Sequence, residues 1–190
     1  CKIRYSLGIY KGCWPNKQDW ILLGCYAGFR TSKWSQKTLT KYARIAWPGS
    51  PSRAFTREDY SFLGSDERIL GTTELSDIFI RYLEIIWRIQ KNGQNGKKVT
   101  FGDDPENPRY SATRSSLRIY NCSIRLGMQA HEPMGVFLNN SGKVKFITDA
   151  LVNDLLRDAA SAMLGIKRDH ADTKLRSTHS VCGTATNLLY

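Results

Sequence analysis

Apolar residues recur at helical spacing between Gln18 and Ala27, where Trp20, Leu23 and Ala27 share one face and Ile21, Leu22 and Cys25 widen it. A stripe that broad predicts a largely buried helix, with Gly28 placed to end it. Phe29-Arg30 then opens a polar, basic run to Lys41, and Pro48, Gly49 and Pro51 mark a loop by composition. A short strand is predicted from Arg57 to Leu63. The run EIIWRIQ, Glu84 to Gln90, is β-branched and aromatic, and Val99 to Phe101 is a second such piece. Between them stand Asn92-Gly93 and Asn95-Gly96, the turn chemistry of a hairpin.

Pro105 to Pro108 reads as a linker, and Ser115 to Leu126 as a helix stopped at Gly127. Phe146-Ile147 leads into an N-cap at Thr148 or Asp149. After it, Leu151, Val152, Leu155, Leu156, Ala159 and Met163 keep helical spacing until Gly165. Lys167 to Arg176 is a charged loop, and a helix resumes at His179. This order predicts an α+β fold, mostly helical, with a small three-stranded antiparallel sheet. Residues 1–17 read as an N-terminal extension or the end of a preceding linker, and residues 18–190 as one domain.

Composition narrows the function classes. A chain of 190 residues with 41% apolar and 24% charged positions suits one globular domain with a real core. The 28 Lys and Arg against 17 Asp and Glu leave +11, which favours a polyanion such as nucleic acid over an acidic small molecule. Cys1, Cys13, Cys25, Cys122 and Cys182 show no C-x-x-C pair and no matching histidine spacing, so neither a disulfide framework nor a zinc site is supported. No apolar run approaches the roughly 18 residues of a membrane span, and the N-terminus lacks the apolar centre of a signal peptide. The expected setting is intracellular rather than secreted, and nuclear in a eukaryote. Asn121 and Asn139 sit in glycosylation sequons that would need a secretory route. Cys1 is not an initiator Met, which suggests a start inside a longer reading frame.

Several motifs fail on inspection. Gly93 to Lys98 (GQNGKK) lacks the spacing and the Ser or Thr of a P-loop, and the run from His131 to Gly135 is not H-E-x-x-H. Asp103-Asp104 offers two carboxylates that a divalent ion could use, but adjacent side chains diverge and a partner acid is missing, so a solvated loop is expected. Arg30, Lys33, Lys37, Lys41 and Arg44, interleaved with Trp34 and Tyr42, form either a solvated helix face or a surface that tracks phosphates.

Three separated pieces, in order, resemble the catalytic domain of the tyrosine recombinase (phage integrase) family. Gly28-Phe29-Arg30, at the end of an apolar helix, is similar to the box holding the family's first catalytic arginine. The hairpin around Gln90-Lys91-Asn92 resembles the one whose lysine enters the active site. Phe146 to Ile166, followed by Ser177-Thr178-His179-Ser180-Val181, is similar to the family's closing run of helix, L-G-I, loop and H-x-x-R. Together the pieces span residues 19–190.

The resemblance implies DNA breaking and rejoining, as in site-specific recombination and DNA integration by mobile elements. A tyrosine attacks the scissile phosphate, forms a 3′-phosphotyrosine and releases a 5′-hydroxyl, with no metal or other cofactor. It implies double-stranded DNA as partner, with a homo-oligomer on DNA as a further arrangement, and neither a membrane nor a small-molecule substrate. Arg30 would stabilise the phosphorane-like charge with a fixed guanidinium. Lys91 would protonate the leaving oxygen, ahead of Lys97 and Lys98, which follow the turn. His179 would hydrogen-bond the phosphate, and Lys33, Lys37, Lys41 and Arg44 would contact DNA.

Two positions depart from the pattern. Lys33 stands where the family usually has an acid, and Cys182 replaces the second arginine, so a weak thiol donor stands in for a guanidinium fork. Losing one such donor costs about 3 kcal/mol, on the order of a hundredfold in rate. Tyr190 follows Cys182 on the same expected helix, about 12 Å along its axis, too far to share the phosphate. As given, the chain is expected not to complete the reaction. The alternatives are a non-catalytic DNA-binding remnant of a mobile-element integrase and a metal-dependent nuclease using Asp103 and Asp104.

Overall fold

The structure is a computed structural model, and it describes residues 16–28, 54–88, 95–139 and 141–174. Helix α1, Asn16–Ala27, begins the described chain and buries Trp20 and Leu23 completely. Gly28 closes it in the left-handed region at φ 63, with its N–H donated to the Gly24 carbonyl at 2.9 Å. Ile21, Leu22 and Cys25 remain only half-buried.

Three strands follow, β1 (Tyr60–Leu63), β2 (Tyr82–Trp87) and β3 (Lys97–Gly102), in one antiparallel sheet ordered β1-β2-β3. Tyr60 pairs with Ile85 and Phe62 with Leu83, so these four buried side chains lie on the same face by strand alternation. They share one core cluster with Trp20, Leu23, Leu117, Ile119, Met134, Ile147 and Val152. The strand expected over Arg57–Leu63 is narrower than its forecast. Arg57–Asp59 turns as a 3-10 helix because the Asp59 carboxylate accepts the Thr56 N–H at 2.8 Å, which bends the chain before the ladder starts.

Helix α2, Ala112–Arg125, starts three residues earlier than expected, because Ser111 is its N-cap and accepts the Arg114 N–H at 3.2 Å. Thr113, Ser115 and Ser116 are poor interior helix formers, yet all three are fully buried, the Thr113 hydroxyl donating to the Phe101 and Gly102 carbonyls of β3 at 3.1 Å, and α2 packs on α1. Met128 and Tyr120 hold Arg57: its Nη2 donates to the Met128 carbonyl at 2.7 Å and its guanidinium lies 5.6 Å from the Tyr120 ring centre.

A second hairpin was not expected. β4 (Val136–Leu138) and β5 (Val144–Phe146) pair antiparallel, so the described residues hold five strands in two sheets rather than one three-stranded sheet. Asn139 makes the turn, its Oδ1 accepting from the Lys143 N–H at 2.8 Å and the Ser141 N–H at 3.1 Å, with Gly142 at φ 72.

Helix α3, Asp149–Leu164, has Thr148 as its N-cap, accepting the Leu151 N–H at 3.2 Å, and ends at Gly165 with φ 65. Its apolar spacing is right but its burial is uneven: Val152 is buried, whereas Met163 is 85% exposed. The loop expected over Lys167–Arg176 contains a short helix, α4 (Ala171–Lys174). Thr173 is buried there, its hydroxyl donated to the His170 carbonyl at 2.7 Å. Among the described residues no helix is long and apolar enough to cross a membrane.

Candidate functional site

Arg30, Lys91 and His179, the expected catalytic residues, and Cys182, at the place of the second arginine, lie outside the described residues, as do Lys33, Lys37, Lys41, Arg44 and Tyr190. The described elements flank them in the sequence. Arg30 comes two positions after Gly28, whose positive φ ends α1. Lys91 belongs to the connection between β2 and β3, and His179 follows α4 in the chain.

That connection springs from a defined base. Trp87 and Lys97 form the last ladder pair, and the Gly96 N–H donates to the Trp87 carbonyl at 2.7 Å, with Gly96 at φ 78. Lys97 and Lys98, the lesser candidates for general acid, are both on β3. Lys98 is engaged elsewhere, its Nζ lying 2.8 Å from Glu84 across the ladder.

Three buried or half-buried ion pairs brace the framework. Asp59 receives Arg88 in a forked contact, Nη2 to Oδ2 at 2.8 Å and Nε to Oδ1. Burial pushes the Asp59 carboxyl above its usual range, outweighing the Thr56 N–H and the charge and hydrogen bond of Arg88. Asp19 behaves alike: burial raises it more than Arg118 and Ser115 lower it.

Asp103 is the counter-case. Burial again pushes it upward, but hydrogen bonds from Arg114 and Ser111, then the Arg114 charge, together bring it below the usual range. The Ser111 hydroxyl donates at 2.8 Å, and Arg114 Nε and Nη2 both donate at 2.9 Å. This corrects the solvated-loop expectation, since the Asp103 side chain is only 3% exposed. Asp104 caps the next turn, accepting the Glu106 and Asn107 N–H groups at 3.1 and 3.0 Å. A carboxylate held by a guanidinium fork is a poor cation ligand, and among the described residues no three His, Cys, Asp or Glu side chains gather as a metal site. The nuclease alternative loses the acids it needed.

A cleft of about 860 Å³ runs between α1 and the start of α2, lined by Asp19, Leu22, Arg109, Tyr110, Arg114 and Arg118. Arg114 and Arg118 are already engaged by Asp103 and Asp19, so they help hold the wall together. Arg109 and Tyr110 are exposed at its rim.

Sequence reasoning passed over Asp19, Asp59, Arg88, Arg114 and Arg118. Thr56 and Asp59 did carry a local sign, the T-x-x-D spacing of a capping box. The partners of Asp19 and Asp59 are too distant in the chain for any local sign.

No family model matches the chain, and neither the curated proteins nor the solved structures give a match.

Proposed function

We propose that this chain is a DNA-binding domain of tyrosine-recombinase type, built for strand breaking and rejoining, with the integration of mobile DNA as its ancestral setting. What carries the reading is the order of elements around the expected residues. An apolar helix closes at Gly28 just before Arg30, an antiparallel β2–β3 connection contains Lys91, and a capped helix ends at Leu164-Gly165-Ile166 ahead of His179. In this reading Arg30 and His179 bind the scissile phosphate, Lys91 donates to the leaving 5′-oxygen, and Lys33, Lys37, Lys41 and Arg44 track the backbone.

Cys182 favours a second reading, in which the domain binds DNA without cutting it. A thiol supplies one weak donor where the chemistry needs a charged fork.

One pair of measurements tests both. Anisotropy of a labelled duplex should show affinity that falls steeply with salt, by orders of magnitude between about 50 and 200 mM if about six or more phosphates are contacted. Absent or salt-independent binding overturns the DNA reading altogether. Covalent capture on a nicked suicide duplex, compared between the unaltered chain and Cys182→Arg within a longer chain that supplies a downstream tyrosine, separates the two readings. Capture restored by the arginine supports the catalytic ancestry, and no change supports the binding-only form.

A further inference from the structure

The cleft between α1 and the start of α2 is lined by two unlike kinds of surface. Ile21 and Leu22, half-buried on α1, are apolar, whereas Arg114 and Arg118 on α2 bring guanidiniums. Its volume of about 860 Å³ falls in the range of small-molecule sites, which combine an apolar lining with a few fixed polar groups.

Bracing uses only part of each guanidinium. Arg114 donates to Asp103, and Arg118 to Asp19, in both cases through Nε and Nη2. Arg118 Nη1 has no acceptor among the described residues, and Arg114 Nη1 has only the Asp77 carboxylate 4.0 Å away, beyond hydrogen-bond reach. A carboxylate that grips one edge of a guanidinium also holds the other edge still, so the spare donors are set in advance for an anion. Arg109 lines the same cleft, is exposed and forms no ion pair with any described residue. Beside it Tyr110 is 64% exposed, a ring open to another flat group. Asp19 supplies the converse: Oδ1 takes both Arg118 bonds, while Oδ2 is buried with no hydrogen-bond partner. An acceptor in that state carries a desolvation cost, which a donor on a bound molecule would remove.

We propose that this cleft binds a nucleotide, its phosphate on the free donors of Arg109, Arg114 and Arg118, its base against Tyr110, and a base N–H answering Asp19. A free nucleotide and an unpaired nucleotide of a DNA strand share this chemistry. The inference uses none of the residues invoked under Proposed function and does not rest on that reading.

Calorimetric titration of the 190-residue chain with dGMP tests it, guanine carrying two adjacent N–H donors on one edge. Saturable binding is expected, with guanosine and inorganic phosphate each weaker by about tenfold or more, because each keeps half of the contacts. Arg109→Ala and Tyr110→Ala should each weaken dGMP binding by about fivefold without moving the melting temperature, since both side chains are exposed; Tyr110→Phe, which keeps the ring, should restore it. No saturable binding at about 5 mM dGMP, or an affinity unchanged in both alanine variants, overturns the proposal. Competition separates the two sources. A single strand of dT containing one dG that displaces dGMP, where a fully paired duplex does not, assigns the cleft to a strand nucleotide; displacement by neither assigns it to a free nucleotide. Displacement by the duplex, which offers no unpaired base, would mean that dGMP is held by its phosphate on a general basic surface, and that result also overturns the proposal. Duplex affinity measured by anisotropy is read independently, so a failure here leaves the DNA reading where it stands.

Discussion

The Asp19 carboxylate on α1 accepts two hydrogen bonds from the Arg118 guanidinium on α2, at 3.0 and 2.6 Å, across 99 positions of sequence. The guanidinium also donates to Ser115 Oγ at 2.8 Å, so one arginine fastens two helices and its own preceding turn. Removing Arg118 leaves the buried Asp19 carboxylate without its charged partner. Arg118→Met should therefore destabilise the fold by about 2–3 kcal/mol, under the 3–5 typical of full burial because Arg118 is 35% exposed. The double change Asp19→Leu with Arg118→Met should recover most of that loss. Urea denaturation checks both; a double variant no better than the single one would show that the pair is not the source.

Acidification should expose opposing carboxylate contributions. Asp19 and Asp59 have folded-state pKa values raised above the usual 3.8, chiefly by burial. Their contribution is therefore fully present below that value and declines as pH rises through the folded pKa. Relative to the unaltered chain, Asp59→Asn should look worst in acid and improve as pH rises from 3.8. Urea midpoints of the two proteins across pH 3 to 7 give the comparison.

Glu74 runs the other way. Its hydrogen bonds from Arg68 and from the Gly71 N–H lower its pKa from 4.5 to about 2. Its contribution is present above 4.5 and fades as pH falls toward 2. Glu74→Gln should differ from the unaltered chain at neutral pH and converge with it in acid, as read from the same midpoints.

Asp103→Ala leaves Arg114 and Ser111 without their acceptor beside the first turn of α2. A loss of about 3 kcal/mol is expected by urea denaturation, in line with breaking a buried pair. Magnesium at millimolar concentration should leave the melting temperature of the unaltered chain where it was; a clear rise would return Asp103 and Asp104 to the list of ion ligands.

Gly165 closes α3 at φ 65, and a Cβ built there meets nothing within 4 Å. Gly165→Ala should therefore carry only the left-handed conformational cost, about 1 kcal/mol, with no steric addition. Gly165→Asn should be milder. A loss well beyond that in thermal unfolding would mean that the helix end touches something besides solvent.

Much of the framework was legible where a local pattern decides it. Gly28, Gly127 and Gly165 marked helix ends because each takes the positive φ that side chains resist. The runs that became β2 and β3 were read from β-branched residues flanking a turn. The β4–β5 hairpin escaped because its strands are only three residues each, too short for alternation to register, although Asn139 to Lys143 held turn chemistry. The early start of α2 escaped because hydroxyl residues argue against a helix until the tertiary fold buries them. Asp103 was expected in a solvated loop because its neighbours in sequence offer it no partner, whereas Arg114, in the first turn of α2, decides its environment. Arg30, Lys91, His179 and Cys182 came from motif order alone, and long-range partners such as Arg88 for Asp59 have no sequence signature to offer.

The dependence of α1 on α2 has a consequence for biosynthesis. Trp20 and Leu23 emerge from the ribosome long before the helix that covers them, since Arg118 follows Asp19 by 99 residues. At translation rates of about 5–20 residues per second, that interval is roughly 5–20 s. Throughout it an aromatic, apolar segment stands uncovered at the tunnel exit, a natural client for chaperones acting on nascent chains.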